Sequence, residues 1–161
     1  MSERARALAD RFEHANHDLI ATVEACSDAA WRAKTTGEGW TVGVVAHHVA
    51  EAHRAISGLV ELRAKGQPLP NVTMDMIHQG NAAHAQQHAS CTKAETLALL
   101  RQNGSVALGL VRSLNDAQLD RSAPALGGAP MTLQQVIERI LIGHVQDHHA
   151  SIRAAITGHN R

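Results

Sequence analysis

The stretch "TLQQVIERILIGHVQDHHASIRAAI", residues 132–156, sets both the fold class and the functional question. Leu133, Ile137, Ile140 or Leu141, position 144, position 148, Ile152 and Ile156 recur every three or four residues, the spacing of one helix face. Thr132 and Gln135 form a capping box, each side chain able to satisfy the other's backbone N–H, so the helix opens there and runs through about residue 157. Positions 144 and 148 of this apolar face are both histidine, and His149 follows.

The same periodicity extends outward. Leu8, Phe12, Ala15, Leu19, Val23 and Cys26 predict a helix over about 3–26, ending where "CSDAAWRAKTTGEGW" supplies turn residues. Thr41 caps a second helix, over about 41–65, whose face carries Val45, Val49, Ala52, Ile56, Leu59 and Val60. "KGQPLPNVT" stops it, and Pro68 and Pro70 make that connector extended. "MDMIHQGNAAHAQQHA", residues 74–89, reads as a short, weakly amphipathic helix. Thr92 with Glu95 is a second capping box and opens a third long helix through Leu97, Leu100, Leu108, Val111 and Leu114. "DRSAPALGGAP" is a loop. "SDAAW" then "WTV" is echoed by "NDAQL" then "MTL", each leading into a histidine-bearing helix.

Composition agrees with helices. The 161 residues fit one domain, and the only large aromatic rings are Phe12, Trp31 and Trp40, so the core is built from Ala, Val, Leu and Ile. The expected architecture is all-α: a four-helix bundle with a long crossover between the second and third long helices that carries the short one. Lys plus Arg and Asp plus Glu both total 15, so no broad field draws phosphate backbones or anionic lipids, and neither nucleic acid nor membrane is expected as a partner. No apolar run approaches the ~20 residues of a membrane span, and the charged N-terminus is unlike a signal peptide. A soluble cytoplasmic protein is expected. Cys26 and Cys91 lack CxxC spacing and read as buried thiols.

The histidines are the chemistry. An i, i+4 pair lies ~40° apart around a helix axis and ~6 Å along it, so His144 and His148 converge on one point. Burying two unpartnered imidazoles costs about 1 to 3 kcal/mol for each unsatisfied group, a penalty that a divalent cation removes by accepting a lone pair from each ring. A third ligand is needed, and His48 lies in the apolar stripe between Val45 and Ala52. His48 is ~10 Å from the start of its helix and the pair ~16 Å from the end of theirs, depths that match best if the two helices run antiparallel. That orientation requires one long crossover, which residues 65–73 can span. The competing reading is of core histidines bonded to nearby oxygens. His84 and His88 form a rival i, i+4 pair in polar surroundings. His14 and His17 belong to a solvated face; His47, His53, His78 and His159 read as exposed or rim residues, and His149 as edging the pocket. Glu51 and Asp147 are placed to orient a ligand ring or simply to face solvent.

"GWTVGVVAHHVAE" followed by "HVQDHH" resembles the DinB-like, or YfiT-like, superfamily of four-helix-bundle metalloproteins, and the resemblance spans nearly the whole chain. It implies a ligand eight positions beyond the tryptophan, His48, and an H-x-x-x-H pair on the last helix, His144 and His148. It further implies a thiol-dependent transferase or isomerase acting on a small molecule with a low-molecular-weight thiol, and a homodimer. Many members follow the last ligand with Arg-Gly-Gln, where this chain has His149, Ala150 and Ser151. The related mycothiol-dependent maleylpyruvate isomerases carry Glu at the position of His144.

Three neutral imidazoles leave a coordination place open, the pattern of a catalytic zinc site, although Ni²⁺, Fe²⁺ and Mn²⁺ also occupy such sites. A metal there would activate water for hydrolysis or hold a thiolate for transfer. The alternative is a non-catalytic, structural metal tying two helices together. No catalytic residue beyond the ligands stands out.

Overall fold

The computed structural model describes residues 2–160, and its architecture follows the helix periodicity closely. Four long helices carry the core: α1 (Glu3–Ala25), α3 (Val42–Ala64), α5 (Lys93–Ser113), and a last helix that begins as α7 (Leu133–Val136), passes through a π segment (Ile137–Ile142) and continues as α8 (Gly143–His159). Side-chain caps open them as their sequences require: Ser2, Thr41, Thr92 and Thr132 each accept a bond from the backbone N–H three residues on. The box at Thr132 and Gln135 is complete in both directions. At Thr92 the observed bond is the threonine's.

Contacts fix the topology. At one end of α1, Arg4 bonds Gln134 at 2.6 Å, and near the other Thr22 meets His149 at 2.8 Å, so α1 and the last helix run parallel. Glu13 pairs with Arg112 at 2.9 Å while Glu24 pairs with Arg101, so α5 runs against α1. Near the middle of α3 and α5, Asn103 donates to the Ala50 carbonyl at 2.9 Å; Gln118, just beyond α5, reaches the carbonyl of Ala64, the last residue of α3. These two are parallel. Arg63, at the end of α3, donates to the Met131 carbonyl at 2.8 Å, just ahead of α7, which makes α3 and the last helix antiparallel. The order is up, down, down, up, and two consecutive parallel helices need the crossover the sequence supplies.

That crossover carries α4 (Met74–Gln87), capped by Thr73. Unlike the four long helices, α4 has no buried residue, and Met74 and Met76 are more than half exposed.

The regions expected to be turns contain more order. Short helices α2 (Asp28–Arg32) and α6 (Asp116–Leu119) follow α1 and α5, capped by Ser27 and Asn115. A bridge between Lys34 and Thr41 then precedes α3, and a two-stranded antiparallel hairpin, β1 (Ser122–Pro124) and β2 (Pro130–Thr132), precedes α7. The echo seen between "SDAAW" and "NDAQL" is thus an echo of local structure. Local capping by Ser27 and Asn115 makes both segments helical, where turn chemistry alone suggested irregular chain.

The core is aliphatic, as the composition requires, with Phe12 its one large ring. Two histidines expected at the rim lie within it. His47 is 1% exposed and His53 fully buried. The reason for His53 is a polar relay: Asn16 donates through Nδ2 to the Leu100 carbonyl at 3.3 Å, so its Oδ1 faces His53 and accepts from Nε2 at 2.8 Å. This bond satisfies the imidazole N–H without any apolar periodicity announcing it. The expectations for His14, His17, His78 and His159 agree with their exposure. Cys26 is buried and Cys91 half-buried, and burial raises both thiols above their ordinary pKa.

Candidate metal centre

Two antiparallel helices and one loop build the cluster. His48 lies in the second turn of α3, and His144 and His148 lie in the first two turns of α8. One ring nitrogen from each of the three lies within 4.8 Å of the others. His48 Nε2 and His144 Nε2 are 3.0 Å apart, and the ring centroids of His144 and His148 are 4.4 Å apart. Trp40 stands edge-on to His48 at 5.6 Å and forms one wall. All three histidines are half-buried, so the cluster is sheltered yet reachable.

The pair is not on the apolar stripe itself, as the simple period placed it. The buried line of the last helix runs through Leu133, Ile137, Leu141, Val145 and Ile152. Bonding of the π type over Ile137–Ile142 shifts the faces beyond it, so Val145 takes the core position and His144 and His148 flank it. A flank is where a side chain can meet both a neighbouring helix and solvent.

The third ring is oriented by a residue the sequence did not single out. Glu38, in the loop before α3, accepts from His148 Nδ1 at 2.7 Å through one oxygen and from Ser151 Oγ at 2.7 Å through the other. Gly39 follows it at φ 72°, a left-handed conformation that glycine adopts freely, and lets the chain turn back so that the Thr35 N–H reaches the Trp40 carbonyl. Burial pushes the Glu38 carboxyl upward, but bonds from Ser151, Thr35 and His148 outweigh it and hold the group below its ordinary value. An ionised carboxylate only accepts, so His148 carries its proton on Nδ1 and offers Nε2. Neither residue weighed for this role performs it: Asp147 is exposed, and Glu51 pairs with Arg54 at 3.7 Å. His149, expected at the pocket's edge, turns to Thr22 of α1 instead.

The donor set suits a divalent cation. Burial, with the charges of His148 and His84, pushes His48 down to about 4; burial, with His148 and His48, pushes His144 to about 3. At neutral pH these rings therefore present lone pairs rather than positive charge. His144 Nδ1 is buried with no hydrogen-bond partner, so the ring's polar contact is its Nε2 approach to His48. Neutral imidazoles converging on one point match what Zn²⁺ and related first-row ions accept.

An all-helical bundle in which two antiparallel helices bring three imidazoles together defines the class. Residues 12–148 match the family described as the mycothiol maleylpyruvate isomerase N-terminal domain, and the chain belongs to that family. Among solved structures, the chain is similar to one described as "YfiT from Bacillus subtilis is a probable metal-dependent hydrolase with an unusual four-helix bundle topology", with TM-score 0.79 and 20% identity over 99% of this chain and 90% of that one. That likeness is one of fold. No curated protein matches.

Proposed function

We propose that the chain is a metal-dependent enzyme that acts on a small molecule at His48, His144 and His148, with a low-molecular-weight thiol as co-substrate in a transfer or isomerisation. The observation that carries this is the approach of three ring nitrogens within 4.8 Å on a half-buried surface. His48 and His144 would hold the ion through Nε2, and His148 through the nitrogen that Glu38 leaves free. When bound, such an ion supplies Lewis acidity and lowers the pKa of a coordinated thiol or water. Glu38 keeps the proton on His148 Nδ1 and fixes the ring, while Trp40 shields one side from water.

The chain's own thiols are poorly suited to serve, because burial pushes both Cys26 and Cys91 above the ordinary thiol range and neither belongs to the histidine cluster. An external thiol is favoured by membership of a family described by its mycothiol-dependent isomerase. Hydrolysis is the second reading, favoured by the description of the Bacillus subtilis protein. A histidine at 144, where the isomerases resembling this chain carry glutamate, leaves the site one negative charge poorer. Such a site binds anionic oxygen or sulfur more strongly and is suited to a different substrate from theirs.

Elemental analysis of untagged protein, followed by thiol-transfer and hydrolysis assays, tests the reading. Wild type should carry a first-row divalent metal, and His148→Ala should abolish turnover while leaving the melting temperature within a few degrees. Full activity in a His48, His144 and His148 triple variant would refute it. A collapse of melting temperature on chelation, with no activity found, would instead support the structural alternative.

A further inference from the structure

We infer that the chain holds a second divalent-cation site, formed by His47, His84 and His88 and separate from the first. One ring nitrogen from each lies within 4.8 Å of the others. His47 Nδ1 and His84 Nε2 are 2.8 Å apart; the rings of His47 and His88 stack at 4.1 Å, and those of His84 and His88 are 4.6 Å apart. The design repeats that of the first cluster. There α8 supplies an i, i+4 pair and α3 the third ring; here α4 supplies His84 and its C-cap residue His88, and α3 again the third. Consecutive residues of a helix point about 100° apart, so His47 and His48 serve two adjacent faces of α3. The two clusters are neighbours, with His48 and His84 ring centroids 5.6 Å apart.

The attachment of α4 argues for an ion rather than for hydrogen-bonded rings alone. This 14-residue helix has no fully buried residue, only half-buried Ile77, Asn81, His84 and Ala85, and its methionines face outward. Its polar side-chain contact with α3 is through imidazole. One imidazole–imidazole hydrogen bond contributes about 1 kcal/mol, too little to hold such a helix against its conformational entropy. A cation shared by three rings from two helices would fasten α4 where apolar burial does not.

Three nitrogen donors select a borderline ion such as Zn²⁺ over Mg²⁺ or Ca²⁺. With Zn–N near 2.0–2.1 Å, tetrahedral ligands are about 3.3 Å apart, so the contact between His47 and His84 must open by roughly 0.5 Å, a small ring rotation. This inference does not rest on the first site being catalytic.

Zinc titration of metal-free, untagged protein against a chromophoric chelator tests it, alongside amide hydrogen exchange of α4. Wild type should bind two equivalents, His84→Gln/His88→Gln one, and His144→Ala/His148→Ala one. Zinc should slow exchange across residues 74–87 in wild type and in the His144→Ala/His148→Ala variant, and leave it unchanged in His84→Gln/His88→Gln. The α4 substitutions lie on a helix outside the core, and circular dichroism verifies folding. A single equivalent lost only in the α8 variant, or two retained by the α4 variant, would overturn the second site. A single equivalent lost only in the α4 variant would instead overturn the first and sustain the second.

Discussion

Glu38 decides which nitrogen His148 offers, and it does so from a loop. Removing its carboxylate frees the ring to rotate and to exchange tautomers. Glu38→Ala should therefore weaken metal retention by about 10- to 100-fold in a chelator competition, whereas Glu38→Gln, which keeps an accepting oxygen, should lose less. Equal retention by all three proteins would deny Glu38 a positioning role. This residue was not legible in the sequence: its partner lies 110 positions away, and nothing in "TTGEGW" distinguishes a glutamate aimed inward from one facing water. That His48, His144 and His148 lie close together was legible from the i, i+4 spacing and the antiparallel order of their helices, although the simple period put the pair on the stripe it in fact flanks. His47 and His53 show the limit of that signal. His53 is buried through Asn16, a polar residue of another helix, and His47 through rings on α4.

At the scale of the element, α5 carries two glycines with opposite meanings. A Cβ on Gly104 would come within 2.3 Å of Asn16 Nδ2, whereas one on Gly109 meets nothing within 4 Å. Alanine at 109 should stabilise by about 0.5 to 1 kcal/mol through helix propensity. Alanine at 104 must displace the Asn16 amide and leave the His53 Nε2–H unsatisfied; it should destabilise by about 1 to 2 kcal/mol after the propensity gain. Urea denaturation of the two variants measures both, and like signs would mean that the Asn16 relay contributes nothing. The existence and order of the long helices could be read directly, from the apolar period at each and from the caps at Thr41, Thr92 and Thr132. The π segment could not: it shifts faces through a change in backbone bonding, and its sequence, "IERILI", remains compatible with an ordinary helix.

Across the whole molecule, the buried imidazoles link folding to pH. His53 is driven by burial from 6.5 to about 4 in the folded state, with Phe12 and Asn16 packed against it. A base whose folded pKa is depressed favours folding above its unfolded pKa, because below it the unfolded chain takes up a proton that the folded chain refuses. Protonation of His53 in the unfolded chain should therefore cost the fold up to about 3 kcal/mol as pH falls from 6.5 to about 4. His48 and His144 act in the same direction in metal-free protein. Denaturation midpoints of wild type and His53→Leu at a series of pH values check this, since the variant's profile should be flatter across that window. The up, down, down, up order followed from matching histidine depths to connector lengths, so topology was readable in the chain. What rides on the crossover was less so, because α4 has no strong amphipathic signature. Its absence from the core has an evolutionary consequence: His84 and His88 apart, selection for stability scarcely constrains this strip of surface. The bundle can therefore rewrite what borders its histidines while preserving everything that keeps it folded, a division of labour that lets one scaffold diversify.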